Sequence, residues 1–242
     1  MLLDFEELDY QQTPLGDISL RRRAEPRLEG KIIYEVKLRD EFLMSSLFTE
    51  AEIQLSKLAL AECEGKELDV VVGGLGLGYT AFTALENSFV RSLKVIDVMK
   101  PVIDWHRRGL VPLGKQLVSD PRCSLVHGDF FAIASSSEGG FEHDELPSHV
   151  HAVLLDIDHS PTHWLNPGNG DFYTVDGLRN LSDKLLPAGI FGLWSDDPPD
   201  MKFIDLLNSV FESSTAHLVT FPNPYTGGES SNTVYLSHKR KT

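Results

Sequence analysis

The chain has 242 residues, 41% hydrophobic and 24% charged, which excludes a disordered chain, a collagen-like fibre and a coiled coil and leaves room for one or two domains. Twenty-two Lys and Arg against 36 Asp and Glu leave a formal charge of −14 at pH 7, so nucleic acid is a poor partner and a cationic substrate is favoured. Cys63 and Cys123 are too few for a disulfide framework and match no zinc spacing.

The opening MLLDFEELDY carries acids where a signal peptide carries Lys or Arg, and no apolar run approaches the roughly 18 residues that span a bilayer. The expectation is a cytoplasmic protein with no membrane partner. Residues 15 to 40, LGDISLRRR and KIIYEVKLRD around Pro26 and Gly30, read as a β-hairpin. Arg21-Arg22-Arg23 there, and Lys239-Arg240-Lys241 near the end, read as a strand edge and a solvated tail. Thr49-Glu50-Ala51-Glu52 then has the pattern of a capping box, in which the hydroxyl and the third-position carboxylate satisfy free helix N–H groups. Leu47, Ala51, Leu55, Leu58 and Ala59 form the apolar face of that helix, and Gly65 is its stop.

From residue 68 strands alternate with helices: LDVVVGG, SLKVIDV, CSLVHGD, HAVLLDI and AGIFGLW, with PVIDWHRRGLV, FYTVDGLRNLSDKLL and FIDLLNSVF as the clearest helical patterns. That rhythm predicts a parallel sheet covered on both faces. AHLVTFPNP and NTVYLSH, separated by YTGGESS, read as a hairpin closing one edge. Residues 135 to 148, SSSEGGFEHDELPS, read as a surface loop.

The chemistry concentrates at the strand ends. A buried strand runs into Gly73-Gly74-Leu75-Gly76-Leu77-Gly78 and then a helix, a turn whose glycines admit close approach of a ligand to backbone N–H groups. The next strand ends in Asp97, 19 residues after Gly78, where a carboxylate accepts hydrogen bonds from ribose hydroxyls. The spacing G-x-G-x-G differs from the G-x-G-x-x-G of dinucleotide folds, and no Walker lysine follows. Asp129 ends the third strand, as an acceptor for an adenine amino group or as a helix N-cap. Asp156 ends the fourth, in Asp156-Ile157-Asp158-His159-Ser160-Pro161. A doubly wound sheet brings all three acids to one crevice.

The glycine loop, Asp97 followed by PVIDWH, the GDFF turn, the LLDIDHSP strand end and the earlier Asp40-Glu41-Phe42 resemble the spermidine synthase family, closest to its divergent spermidine synthase-like branch. The resemblance runs from about residue 15 to 236. It implies an α/β class I methyltransferase-like Rossmann sheet, mostly parallel with an antiparallel edge hairpin (residues 47–242), preceded by a small N-terminal β-hairpin domain (residues 1–46). It implies a transferase of polyamine biosynthesis whose donor substrate is decarboxylated S-adenosylmethionine or S-adenosylmethionine, with no metal, a small amine acceptor and a homodimer. Gly73, Gly74, Gly76, Gly78, Asp97 and Asp129 then hold the donor and Asp156 is the catalytic acid–base group. Four positions depart from the family. Gly76 stands where an Asp holds the aminopropyl amine, Met44 and Ser45 stand where a Tyr and a Gln or His shape the amine site, and His159 replaces a second Asp, with Asp158 beside it. Met44, Ser45, Asp158 and His159 are therefore substrate-pocket candidates. An ordinary small-molecule methyltransferase and a non-catalytic protein that kept the fold are the alternatives.

Among the remaining residues, His159 and His163 have i, i+4 spacing, but Pro161 lies between them and no third ligand completes a metal set. Asp196 and Asp197 are read near the crevice, one of them as the cap of the next helix. Trp105 reads as packing, and Trp164 as packing or pocket wall.

Overall fold

The computed structural model describes residues 5–141, 143 and 146–241. Glu142, Asp144 and Glu145, within the loop read over 135–148, lie outside the described residues.

Four antiparallel strands form a first sheet in the order β1 (Phe5–Thr13), β2 (Gly16–Glu25), β3 (Lys31–Leu38), β4 (Glu41–Ser45). The expected hairpin is β2–β3, in register from Ile18↔Leu38 to Glu25↔Lys31. It is flanked by β1 and β4, which extend the expected hairpin to a four-stranded sheet. β1, FEELDYQQT, has no buried residue, and without an apolar face it carries no strand periodicity to read. Arg21, Arg22 and Arg23 accordingly sit on an inner strand, not an edge. Arg21 and Arg23 engage Glu35 at 2.7 and 3.0 Å, and Arg22 engages Glu6 at 2.7 Å.

Helix α1 (Glu50–Ala61) leads into the second sheet. Its strands are β5 (Leu68–Gly73), β6 (Val90–Asp97), β7 (Cys123–His127), β8 (Val150–Leu155), β9 (Leu185–Ser195), β10 (Ser213–Asn223) and β11 (Gly228–His238). Their order is β10-β11-β9-β8-β5-β6-β7. β5 to β9 pair in parallel, and β10–β11 is the expected antiparallel hairpin, attached through β11 to β9. Helices α2 (Tyr79–Glu86), α3 (Lys100–Arg108), α4 (Gly114–Ser119), α5 (Phe130–Ala134), α6 (Val175–Asp183) and α7 (Met201–Asn208) follow the strands.

The strands are apolar on both faces, as a covered parallel sheet requires. Val70, Val72, Val95 and Leu154 join one core; Val71, Ile96, Val153 and Leu155 join the other. From β5 the chain adds β6 and β7 on one side, then β8 and β9 on the other. The crevice outside the carboxyl ends at such a reversal is where ligands bind in open α/β sheets.

The capping box does not form. Thr49 precedes α1 but its hydroxyl makes no cap bond, and Glu52 turns inward, 7% exposed, beside Ala51 and Leu55. Hydrogen bonds tie the two sheets at their margins. Asp9 of β1 accepts from Trp105 Nε1 at 2.6 Å and from Arg108 at 3.2 Å, both beyond β6. At the tip of the β10–β11 hairpin, Tyr225 donates its hydroxyl to Glu25 at 2.9 Å and accepts from Arg23 at 2.7 Å.

Candidate active site

β5 leaves the sheet at Gly73 and turns through the glycine loop into α2. Gly74 has φ +95°, and a Cβ there would run into the backbone carbonyl of Asp156. The Asp156 amide in turn donates to Gly73 O at 2.8 Å. Only glycine permits this approach, and it brings the end of β8 against the loop. Gly76 has φ +47°, and a side chain there would meet Met44 Sδ, which accepts the Leu77 N–H.

Asp97, 9% exposed, accepts the Leu75 amide on Oδ2 at 2.9 Å and the Met99 amide on Oδ1 at 2.7 Å. Burial pushes its carboxyl up, against the pull of the Met99, Leu75 and Gly76 amides. Asp129 is the N-cap of α5: its Oδ1 accepts from Phe131 N at 3.0 Å and Ala132 N at 3.2 Å. One oxygen makes the cap, so Asp129 fills that role and still faces the crevice. Asp156 accepts the Thr80 hydroxyl at 2.6 Å, and burial raises its carboxyl to about 6.

These three acids line one cavity of about 1370 Å³ with Gly74 and Gly76. Its opposite wall comes from the first sheet, including Glu35, Phe42, Met44 and Ser45. Thus Gly74, Gly76, Asp97, Asp129, Asp156, Met44, Ser45 and His159 all meet there. Gly73 and Gly78 do not reach the wall; they lie against Phe130 and against Leu117 and His106 respectively, and shape the turn.

Asp158 is the clearest correction. Its buried carboxylate accepts from Leu165 N at 2.8 Å, Asn169 Nδ2 at 2.8 Å and Tyr173 OH at 2.9 Å. It pins the chain after β8 to the 3-10 turn Pro167–Tyr173 and is absent from the cavity wall. His159 does line the cavity, its Nε2 3.9 Å from Glu41. Its ring packs on His163 with centroids 4.8 Å apart, in a bend closed by Ser160 and His163 rather than on a helix. Asp200, not Asp196 or Asp197, caps α7, accepting from Lys202 N at 2.8 Å. Trp164 donates to Pro161 O outside the cavity, and Trp105 is buried.

The residue that sequence reasoning assigned elsewhere is Glu52. It lines the cavity with Asp156 and Asp196. Burial and the charges of those two acids push its carboxyl up to about 8. Its signal was positional: residues 52, 55, 56 and 59 share the buried face of α1, and a carboxylate at a core phase is out of place for a cap. Trp194 also lines the cavity, and its indole N–H is buried without an acceptor among the described residues.

No family model matches the chain. Among curated proteins, Polyamine aminopropyltransferase 2 of Pseudomonas aeruginosa is 27% identical over 188 residues, covering 74% of this chain and 48% of that protein. The chain thus spans about half the length of that relative. A solved spermidine synthase in complex with the transition state analogue AdoDATO matches with TM-score 0.73 at 17% identity, over 98% of this chain and 74% of its own. Spermidine synthase from Thermotoga maritima matches with TM-score 0.71 at 15% identity, over the same 98% and 74%. A probable spermidine synthase from Corynebacterium glutamicum matches with TM-score 0.63 at 15% identity, over 95% and 79%. The fold is therefore spermidine synthase-like, a class I methyltransferase-like α/β sheet with a separate N-terminal antiparallel sheet.

Proposed function

We propose that this protein is a transferase that takes an aminopropyl group from decarboxylated S-adenosylmethionine and delivers it to a small amine. The observation that carries the reading is the meeting of Asp97, Asp129 and Asp156 with the glycine loop on one cavity. The residues fit such a donor. Asp97 already draws on the Leu75, Met99 and Gly76 amides, and of the roughly four lone-pair positions of a carboxylate one remains for a ribose hydroxyl. Asp129 has an oxygen outside its cap for an adenine amino group. The orphan indole N–H of Trp194 offers a further donor in the same wall.

The donor supplies a carbon activated by an adjacent sulfonium. Attack by a neutral amine nitrogen forms the C–N bond, breaks the C–S bond with its electron pair passing to sulfur, and leaves a proton on nitrogen. Asp156 takes that proton. Its raised affinity for protons, a result of burial, suits a group that must be ionised before the step and hold a proton after it. Acidic side chains of the wall, Glu35, Glu52, Asp97, Asp104, Asp129, Asp156 and Asp196, outnumber its Arg23 and Lys100, and this balance favours a cationic acceptor. The −14 charge supports action without nucleic acid, and the family resemblance supports a cytoplasmic homodimer.

A methyl transferase using intact S-adenosylmethionine is the second reading, and Gly76 favours it: the loop offers no carboxylate for an aminopropyl amine, and Met44 occupies that space. Calorimetric titration separates the two. Tighter binding of the decarboxylated donor supports aminopropyl transfer, tighter binding of S-adenosylmethionine supports methyl transfer, and failure of both donors and of methylthioadenosine to bind rejects both readings.

A further inference from the structure

We propose that His106 is a proton-operated latch beneath the glycine loop, a positioning residue that fixes the loop from the side opposite the cavity. Its bearing on the donor rests on the transferase reading of the site.

His106 lies on α3, in the PVIDWH stretch that follows Asp97, and is fully buried. Its Nδ1 stands 2.9 Å from the Val102 carbonyl one turn earlier, so in the neutral ring that nitrogen carries the proton. Nε2 is buried without a partner among the described residues. It faces the loop: a Cβ on Gly78 would stand 3.0 Å from it, and Leu117 of α4 closes the same space. The Leu77 carbonyl acts on the ring from there, yet takes no hydrogen bond from it.

A neutral imidazole has one N–H, and this one faces two carbonyls. With the proton on Nδ1, the Nε2 lone pair confronts the Leu77 oxygen. A second proton turns that repulsion into a hydrogen bond and satisfies both carbonyls. Burial opposes the charge and pushes the imidazole below its ordinary range, while the Val102 and Leu77 carbonyls pull it up. The charged and titratable side chains of the packed elements turn elsewhere. Asp97 is held by loop amides, Asp104 lines the cavity, Tyr79 is turned to Ser46, and Arg107, Arg108, Lys115 and Glu86 are exposed.

The latch completes a bracket. Asp97 holds the loop at Leu75, and Met44 holds the Leu77 N–H from the cavity side. Protonated His106 takes the Leu77 carbonyl from below. A loop ordered in advance costs less to order when a ligand binds, so ligand and proton raise each other's affinity by the same factor.

Nuclear magnetic resonance of the isotope-labelled full chain, with calorimetry, tests this. In the free protein the His106 ring and the Leu77 carbonyl should titrate with one shared midpoint, and methylthioadenosine should raise it. His106→Gln, whose amide reaches Leu77 at any pH, should bind methylthioadenosine roughly two- to tenfold more tightly than His106→Asn, whose shorter amide reaches only Val102, the scale of one hydrogen bond. The native chain should match His106→Asn at about pH 8 and approach His106→Gln at about pH 5, on either side of the ordinary imidazole range. A Leu77 carbonyl that ignores the ring's titration, a ring that stays neutral down to about pH 5, or a native affinity parallel to one variant at every pH would overturn the proposal. Should methylthioadenosine bind at no pH, the donor reading falls, and the shared or separate titration of His106 and Leu77 in the free chain still decides the latch.

Discussion

The thioether of Met44 lies 2.8 Å from the amide nitrogen of Leu77, in the space a side chain on residue 76 would need. Two departures from the family pattern, far apart in the sequence, are therefore one structural choice. A side chain at residue 76 would have to push the end of the Met44 side chain off the loop. The φ of +47° at Gly76 adds a backbone reason for glycine, since the left-handed region costs a residue with a Cβ about 1–2 kcal/mol.

Restoring the family acid alone should therefore fail. Gly76→Asp is expected to lower the melting temperature and to leave affinity for decarboxylated S-adenosylmethionine unimproved. Adding Met44→Ala should recover part of the stability. Melting curves and titration of the single and double variants check this, and a single variant that binds the donor more tightly would contradict it.

Asp97→Asn should weaken methylthioadenosine binding roughly tenfold or more, through the loss of a charge-assisted hydrogen bond. The Leu75 and Met99 amides use different oxygens of Asp97, so Asn keeps an acceptor for one of them whereas Ala would orphan both, and a melting curve accompanies the titration. Equal affinity in a folded Asn variant would remove Asp97 from the donor site.

Asp156→Asn should leave methylthioadenosine affinity unchanged and slow transfer by about 10²–10⁴-fold. The base must be ionised to accept a proton, and its carboxyl is raised by burial to about 6. Single-turnover rates in the native protein should therefore rise with pH through about 6 and fall away below it. The acid limb should vanish in the variant. A native profile flat from pH 5 to 7 would separate Asp156 from the proton transfer.

Asp158→Ala should act on stability instead. It strips the Leu165 amide, Asn169 and Tyr173 of their buried acceptor, a loss of roughly 2–4 kcal/mol for a charged network. Donor affinity, measured well below the melting temperature, should be near native. A large affinity loss with an unchanged melting curve would return Asp158 to the pocket.

Glu52 makes a stability prediction as well. Its carboxyl is raised by burial and by Asp156 and Asp196 to about 8 in the folded chain, against the ordinary carboxylate range when unfolded. The folded state thus binds more protons across that window, so this group's contribution to stability falls as pH rises through it. Glu52→Gln should melt higher than the native chain at pH 8, and the difference should shrink at pH 5. A variant that melts lower at pH 8 would show that the carboxylate stabilises the empty fold.

The sheet and the three strand-end acids were legible because they are local patterns: apolar runs, glycine turns and an acid after each run. β1 was not, since FEELDYQQT pairs through its backbone and shows no apolar stripe. Asp158 and Glu52 exchanged places for a reason of direction. Asp158 sits two residues beyond Asp156, and both were read as facing the crevice, yet the chain bends there and turns Asp158 toward Asn169 and Tyr173. Glu52 matched a capping box, and a cap and a core phase coincide in the first turn of a helix. Which one wins depended on a cavity built by strands more than a hundred residues away.

The cavity has its two walls on different sheets, and those sheets are buckled together at opposite margins, by Asp9 with Trp105 and by Tyr225 with Glu25 and Arg23. A jaw fastened at both corners does not swing. Between those margins the Leu77 amide rests on Met44 Sδ, so parting the two walls would break contacts at both corners and in the middle. Loosening one corner, as in Asp9→Ala, would leave the far corner and the Met44 contact to hold the walls at their present spacing.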